Sequence, residues 1–304
     1  MNERIIEVLK RPSTIPAHIW MKFSPFIKDD KFYLGVNYFL KRFKIMHWDN
    51  PRRFNEKLQW LKLHCTDPKR KNLVDKYEVK KYVSEMIGDK YIIPTYGVWN
   101  KFDDIDFDKL PKQFVLKCTH DSGGIVICKD KNSFDFKKAQ AKLNYHLKRK
   151  YFNGNREYGY QFVQPRILAE KYMEDESGWQ LKDYKVFCFN GEPKFVEVDY
   201  DRYVGHKLNV YDLDWNYVDF YMTSPNDPNV NIPKPEKLSE LLDLCRKLSK
   251  NEIFVRVDFY SIGEELYFGE LTFYPGAGCI DFHPDEYDYK LGTLLKLPND
   301  KVIQ

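Results

Sequence analysis

Apolar residues recur at helical spacing through the first ninety residues. In the segment 52–64, the side chains of Phe54, Leu58 and Leu61 fall on one face of a helix. A second periodic segment begins near Asn72 and ends near Gly88. The pattern predicts a mostly helical N-terminal region over residues 1–90.

After residue 90, the pattern changes to short strand-like runs with few helices between them. We predict strands at 91–98, 113–118, 124–128, 167–173, 184–189, 194–198, 208–211, 255–259 and 267–273. We predict helices at 134–150, at 237–249 and near the end of the chain, and an exposed loop rich in Gly and Asn at 151–159. This order predicts an α+β protein with antiparallel sheets and covering helices.

The last two predicted strands each carry one carboxylate among apolar neighbours, Asp258 and Glu270. The segment 261–265 between them has the composition of a hairpin turn, so the two acids should lie side by side. Two buried acids repel each other unless a cation or a proton lies between them. So few hard oxygen ligands suit Mg²⁺ that is held partly by substrate phosphates, and this indicates nucleotide chemistry. A structural pair of hydrogen-bonded acids is the alternative.

A glycine-rich connection joins the strands at 113–118 and 124–128. The run Ser122-Gly123-Gly124 lets backbone N–H groups approach phosphate oxygens, and Lys117 stands just before it as a point charge. An ordinary hairpin with a solvent-facing lysine is the alternative, and His120 in the same loop either reaches a phosphate or caps the turn.

Two further strands carry charged residues. Glu170 ends an apolar strand, where it either accepts a hydrogen bond from an adenine ring or forms a surface ion pair. Asp183 and Lys185 share one strand face, so the lysine either balances phosphate charge or forms a cross-strand salt bridge.

Composition limits the class of protein. The 304 residues carry a net charge of +4 and are 43% hydrophobic, which excludes wholesale disorder and does not indicate a nucleic-acid binder. None of the six cysteines forms a CxxC pair, so we expect reduced cysteines in a cytoplasmic protein. We find no signal-peptide pattern and no apolar run long enough to span a bilayer.

The basic residues of the predicted helix 134–150 leave two hypotheses open. They form either a solvated face or a surface that docks an anionic polymer or a lipid-linked saccharide at the inner face of the membrane.

Several motifs together resemble the TupA-like ATP-grasp family, whose members are associated with bacterial surface polysaccharide synthesis. The resemblance covers roughly residues 50–290, and the motifs that carry it are 55–62, 73–77, 114–124, 199–202, 211–215 and 269–273. It implies an ATP-grasp fold, in which two α+β subdomains clamp ATP beside the helical N-terminal region. We expect the lid subdomain at 91–165 and the larger subdomain, with the metal site, at 166–304.

The resemblance also implies a reaction. ATP would activate a carboxylate as an acyl phosphate, and an amine would displace the phosphate to form an amide, which is ligase chemistry of the EC 6.3 type. The expected substrates are a uronic acid of a capsular or other surface saccharide and an amino acid or small amine. A glycosyltransferase, with Asp199-Tyr200-Asp201 as its metal motif, an ATP-dependent saccharide kinase, and a module that only binds ATP are the alternatives.

The family pattern assigns roles to individual residues. Those expected to bind ATP are Lys76, Lys117, His120, Ser122, Gly123, Gly124, Glu170, Lys171, Met173, Asp183 and Lys185. Those expected to hold one or two Mg²⁺ ions are Asp258, Glu270 and Thr272, the last standing where many superfamily members have Asn. Those expected to be catalytic are Arg256, Arg202 and Lys185. We expect no nucleic-acid partner and leave the oligomeric state open.

Overall fold

A computed structural model describes residues 15–178, 180–201 and 205–298, and it confirms the predicted α+β class. The helices are α1 (Ile15–Phe23), α2 (Asp30–Arg42), α3 (Phe54–His64), α4 (Lys71–Val74), α5 (Glu78–Ile87), α6 (Phe136–Leu147), α7 (Tyr151–Asn155), α8 (Leu238–Ser249) and α9 (Glu286–Leu294). The strands are β1 (Thr95–Trp99), β2 (Phe114–Cys118), β3 (Ile125–Cys128), β4 (Ile167–Lys171), β5 (Asp183–Phe189), β6 (Glu192–Tyr200), β7 (Lys207–Tyr211), β8 (Tyr217–Val218), β9 (Tyr221–Met222), β10 (Phe254–Ile262), β11 (Glu265–Thr272) and β12 (Phe282–His283).

The strands form two main antiparallel sheets. The smaller sheet has the order β1-β4-β2-β3, and the larger has the order β11-β10-β5-β6-β7-β8. Strands β9 and β12 form a separate pair. Strand β4 belongs to the smaller sheet, although the predicted boundary after residue 165 assigns it to the larger subdomain. The division into domains remains a prediction.

Each sheet has its own hydrophobic core. The larger core includes Phe54 of α3, Phe187 of β5 and Leu241 of α8, all fully buried. The smaller core includes Leu116 of β2 and Leu143 of α6. Because the two cores are separate, a cleft remains between the sheets, and the chain crosses it after β4.

The prediction of an exposed loop at 151–159 is wrong. Residues 151–155 form α7, a 3₁₀ turn follows at Tyr158–Phe162, and the side chain of Arg156 is buried. Its guanidinium donates to the carbonyl oxygens of Ser24 at 2.8 Å and Ile27 at 2.9 Å, and it pairs with Asp30 at 2.7 Å. The Gly and Asn residues of this segment suggested a solvated turn. The contacts of Arg156 with residues 24–30 join distant parts of the chain, so no pattern in the sequence near residue 156 indicates them.

All six cysteines are unpaired thiols, as predicted. Within the described residues, we find no helix with the length and apolar character needed to cross a membrane.

Helix α9 packs tightly on the start of α3. The Lys57 ammonium donates to the carbonyl oxygens of Gly292 and Leu295, both at 2.7 Å. A Cβ atom on Gly292 would overlap the Arg52 carbonyl oxygen and lie 2.9 Å from the Phe54 nitrogen. The glycine is therefore required by the packing of the two segments.

We predict that Gly292→Ala lowers the free energy of unfolding by about 1–3 kcal/mol, because the new methyl group forces the two segments apart. Chemical denaturation measures this change. The matched control is Gly35→Ala within α2, where a Cβ atom would lie 3.6 Å from the Trp48 ring. Helix propensity alone should make that control more stable by about 0.5–1 kcal/mol. Equal effects at the two positions would contradict the packing argument.

Candidate active site between the two sheets

A cavity of about 130 Å³ lies in the cleft between the sheets. It is smaller than the roughly 300 Å³ typical of pockets that enclose a whole drug-sized ligand, so it can enclose only a ring-sized part of one. Four residues predicted to bind ATP line it together: Lys117, Lys171, Met173 and Asp183. Its apolar walls, which the sequence did not indicate, are Ile93, Val115, Ile125, Ile127, Leu181 and Tyr260.

Glu170 lies beneath this cavity and is buried rather than on the surface. Its carboxylate pairs with Lys117 at 2.6 Å and with Lys80 at 2.5 Å. Burial alone would raise the pKa of Glu170, but the two ammonium groups outweigh burial and lower it. The ion-pair alternative from the sequence is therefore observed, in a buried form, and contact between Glu170 and an adenine ring remains a prediction.

The two predicted metal-binding acids lie opposite each other on β10 and β11. The register pairs Asp258 with Glu270, and a bulge in β11 follows immediately, so that Phe259 pairs with Phe268 and Gly269 is left over. A Cβ atom on Gly269 would lie 3.1 Å from the Asp258 carbonyl oxygen. Bulges are frequent beside active sites, where they redirect a neighbouring side chain.

A guanidinium group lies between the acids. The Arg256 side chain donates to both carboxylate oxygens of Asp258, from Nε at 2.7 Å and from Nη2 at 2.6 Å. The Nη2 atom also donates to Glu270 at 3.3 Å and to the Thr272 hydroxyl at 3.1 Å. That hydroxyl donates to Glu270 at 3.1 Å. The four residues singled out from the sequence are therefore in direct contact.

Lys185 continues this row of charges across the larger sheet. It lies opposite Asp258 on one side and Glu197 on the other. Its buried ammonium pairs with Asp199 and lies 3.3 Å from Glu197. The cross-strand salt bridge considered for Lys185 is observed, and its contact with a phosphate remains a prediction.

The two acids Asp258 and Glu270 differ in the direction of their pKa shifts. Burial raises the pKa of Asp258 to about 7, against the opposing effect of Arg256. Burial would also raise the pKa of Glu270, but Lys76 and Arg256 outweigh it and lower that pKa. The Glu270 side chain is 44% exposed, so its carboxylate is accessible to a ligand.

The cavity and the charged cluster lie on one face of the same two strands. Asp183 and Tyr260, which line the cavity, are partners across β5 and β10. Lys185 and Asp258 are partners two residues along the same strands. Two residues span roughly 7 Å and return the side chain to the same face. A ligand with a ring in the cavity can therefore extend a charged group onto the cluster.

The glycine-rich loop lies at the edge of the cleft. Ser122 and Gly123 are exposed, and Gly123 has a φ of 93°. The Lys76 ammonium donates to the Asp121 carbonyl oxygen at 2.6 Å, which ties the loop to the segment between α4 and α5. His120 is buried, and its Nε2 lies 3.2 Å from the Arg149 carbonyl oxygen. His120 thus contacts the backbone after α6 and not its own turn, and both the turn-capping role of His120 and the phosphate contacts of this loop remain predictions.

The oxygen ligands available in this cluster indicate whether it could bind a divalent cation. Among the described residues, no group of three or more His, Cys, Asp or Glu side chains is arranged to hold a metal ion. The row nevertheless contains four carboxylates against the cations Arg256 and Lys185. The four are Asp258, Glu270, Glu197 and Asp199. The excess of hard oxygen donors fits Mg²⁺ that is completed by phosphate oxygens and water. Thr272 serves here as a bridge between Arg256 and Glu270.

Sequence reasoning missed several residues of the site. Lys80 comes from α5, and Glu197 and Asp199 come from β6; the glycosyltransferase alternative had read Asp199 as half of a metal motif. Asp121 pairs with His146 and Arg149 beneath the loop. The partners of Lys80 and Asp121 lie far away in the chain, so spacing could not reveal them. Glu197 and Asp199 follow Lys185 across the β5–β6 hairpin, so the strand register could have found them. Arg202 lies outside the described residues, and its predicted role remains untested.

Comparison with known proteins identifies the relatives of this chain. A family model described as TupA-like ATPgrasp matches residues 56–296. No curated protein matches the sequence.

Several solved structures show a distant likeness. D-alanine–D-alanine ligase from Helicobacter pylori is 16% identical with a TM-score of 0.38, over 74% of this chain and 61% of that one. The enzyme from Bacillus anthracis complexed with ATP is 16% identical with a TM-score of 0.38, over 66% and 53%. The ATP-grasp ligase PsnB, complexed with a minimal precursor, Mg and ADP, is 10% identical with a TM-score of 0.41, over 79% and 65%. The chain thus spans less than two thirds of each.

We predict that Glu170→Gln destabilises the protein at neutral pH by about 3–5 kcal/mol, because Lys80 and Lys117 lose their buried anion. The lowered pKa of Glu170 means that its stabilising effect is present above the unfolded-state pKa and is lost as the pH falls through the folded-state pKa. The difference between variant and wild type should therefore shrink in acid. Denaturation at a series of pH values measures it.

The matched control is Glu264→Gln, at an exposed position in the β10–β11 turn. It should change stability by less than about 0.5 kcal/mol at every pH. A Glu170→Gln effect that stays constant from neutral to acid pH would contradict the ion-pair argument.

Proposed function

Because the chain belongs to the TupA-like ATP-grasp family, we propose that it is an ATP-dependent ligase that joins a carboxylate to an amine. The reaction activates the carboxylate as an acyl phosphate, and the amine then displaces the phosphate to form an amide. The oxygen of the substrate carboxylate attacks the γ-phosphorus of ATP, and ADP leaves. The amine next attacks the acyl carbon, loses a proton and expels inorganic phosphate.

One observation carries the proposal: the cavity and the charged cluster share one face of β5 and β10, roughly 7 Å apart. An adenine ring fits the apolar part of the cavity, beside Lys171 and Met173. The phosphates then extend past Lys117 toward Lys185 and Glu270. The lowered pKa of Glu270 keeps that acid ionised beside them. The glycine-rich loop at 122–124 covers the phosphates from the smaller sheet.

Asp258 and Glu270 would hold magnesium in place of part of their contacts with Arg256, and the ion would neutralise the charge that develops on the transferred phosphoryl group. The protein's own contribution is to hold Lys117 and Lys185 in place before the nucleotide arrives. The Lys185 side chain is buried and the Lys117 side chain is mostly buried, and both are fixed by carboxylates, Asp199 for Lys185 and Glu170 for Lys117. Positioned charges of this kind stabilise a transition state without reorganising during the reaction.

Arg256 is the candidate that stabilises the oxyanion formed when the amine attacks. Its guanidinium already contacts both Asp258 and Glu270. Burial alone would lower the pKa of Arg256, but the nearby Asp258 carboxylate outweighs burial and raises that pKa, so Arg256 stays charged. Arg202 is the candidate that orients the substrate carboxylate, on the basis of its charge and position in the sequence.

The proposed substrates follow from the family's association with bacterial surface polysaccharides. The carboxylate would be a uronic acid of a capsular or other surface saccharide, and the amine an amino acid or small amine. Because the reaction consumes ATP, we place the enzyme in the cytoplasm, in contact with the inner face of the membrane when the saccharide is lipid-linked.

We predict that Arg256→Lys lowers kcat for amide formation by about 10²-fold, because lysine keeps the charge but loses the two-pronged contact. Arg256→Ala should cost at least as much. Arg246→Ala is the control, because Arg246 pairs only with exposed acids on α8 and β6 in the described structure. A change of less than about twofold in Arg256→Ala would remove Arg256 from the mechanism.

The reaction itself is tested by measuring ADP release with Mg²⁺ and ATP, a panel of free and nucleotide-linked uronic acids, and hydroxylamine in place of the amine. We expect hydroxamate to form in step with ADP, because hydroxylamine traps an acyl phosphate. Lys117→Met is the inactive control, and it should abolish both products.

Other products would identify a different activity. ADP without hydroxamate, together with a phosphorylated sugar, would show a kinase. Release of a nucleoside diphosphate from a sugar donor without ATP turnover would show a glycosyltransferase. ATP binding without turnover of any substrate would show a binding module.

A further inference from the structure

Exposed apolar side chains are concentrated in one short part of the chain. Among the described residues, seventeen large hydrophobic side chains are exposed, and eight of these lie within residues 15–45. All six that are more than half exposed belong to this segment: Ile19, Phe23, Phe26, Phe32, Phe43 and Ile45. Single exposed apolar residues are ordinary, but such a concentration marks an interaction surface.

Helix α2 is apolar on two opposite faces. Tyr33, Leu34 and Tyr38 are buried against the rest of the protein. The outward positions 32, 36, 39 and 43 follow the spacing of a second helical stripe. The inward face supplies the packing that holds α2 against the protein, whereas the aromatic side chains of the outward stripe are exposed.

The outward stripe belongs to a groove. Its walls are formed by Phe32, Val36, Phe39, Ile45, Met46 and Trp48, and we call these residues with Phe43 the N-terminal apolar surface. The Phe39 and Phe43 rings lie 6.5 Å apart, and the Trp20 ring of α1 lies 6.1 Å from Phe32. Helix α1 therefore continues the surface.

Positive charge accompanies this surface. Residues 15–45 contain six Lys and Arg residues and two Asp residues. Arg42 and Lys44 pair with Asp281 and Asp285, which leaves four lysines in this segment. Asp30 pairs with Arg156, and Asp29 accepts a hydrogen bond from the start of α2. Lys31 lies 6.0 Å from the Trp48 ring. No other described residue forms an ion pair with Lys22 or Lys28, so these ammonium groups remain available to an external anion.

We propose that the N-terminal apolar surface and its lysines bind an anionic lipid bilayer. Protruding Phe and Ile side chains enter the boundary between headgroups and acyl chains, and each lysine near the anionic surface contributes about 1 kcal/mol. A second copy of this chain fits less well, because a two-fold interface places like charges opposite each other. The proposal stands apart from the ligase reaction, since no residue of this surface lies in the active-site cleft.

Flotation with phosphatidylcholine vesicles that contain one-third phosphatidylglycerol tests the proposal. The full chain should float with these vesicles, and it should float less in high salt or with phosphatidylcholine alone. The key variant is Phe43→Ser with Ile45→Ser, because these are the two most exposed side chains of the N-terminal apolar surface. It should lose at least about tenfold in vesicle affinity. Lys22→Glu with Lys28→Glu should weaken binding in the same direction.

Matched controls separate this surface from other candidates. Met86→Ser with Phe162→Ser removes two exposed apolar side chains elsewhere and should leave vesicle binding unchanged. Lys137→Glu with Lys138→Glu reverses exposed charges on α6, the basic helix considered above, and should weaken binding much less than the Lys22 and Lys28 pair. Thermal unfolding and ADP release in the absence of vesicles should match wild type for every variant.

Three results would overturn the proposal. The first is a wild-type chain that does not float with anionic vesicles. The second is a variant with Phe43→Ser and Ile45→Ser that floats as well as wild type. The third is light scattering that shows a dimer lost in this variant while vesicle binding is unchanged, which would assign the surface to a second copy of the chain.

Discussion

The contact between Arg256 and the two acids Asp258 and Glu270 is the constraint on which the site depends. A mostly buried guanidinium that joins two carboxylates is costly, because each charge loses part of its hydration. The strands β10 and β11 keep the three side chains together, and the bulge at Gly269 sets their mutual direction. Lys185 then balances the next pair of acids, Glu197 and Asp199. The face of β5, β6, β10 and β11 that carries these residues is therefore lined by paired positive and negative side chains and is not continuously apolar.

Much of this arrangement could be predicted from the sequence, because its central contacts join residues that are close together in the chain. A hairpin fixes the register of its two strands, so the positions of Asp258 and Glu270 followed from a turn and an alternating pattern. The glycine-rich loop and Lys117 were likewise neighbours in the chain. The α+β class followed from the order of periodic segments, which depends only on nearby residues.

Most of the rest depended on contacts between distant segments. Lys80 reaches Glu170 from a helix ninety positions earlier, and nothing in α5 distinguishes this lysine from its exposed neighbours. Asp199 was noticed as a metal-binding candidate, although its partner is Lys185 on the adjacent strand. Arg156 looked like a loop residue because it donates to backbone carbonyl oxygens after α1. Such partners cannot be recognised from the types of side chain in the sequence.

The buried Arg156 has a mechanical consequence. Its bonds to the Ser24 and Ile27 carbonyl oxygens tie the segment between α6 and β4 to the N-terminal helices. The Tyr33 hydroxyl adds a second tie to the Gly154 carbonyl oxygen. The segment that leads back into the smaller sheet is therefore fixed to a part of the chain outside both sheets. A rotation of the smaller sheet that opens the cleft must carry the N-terminal helices with it or break these three hydrogen bonds.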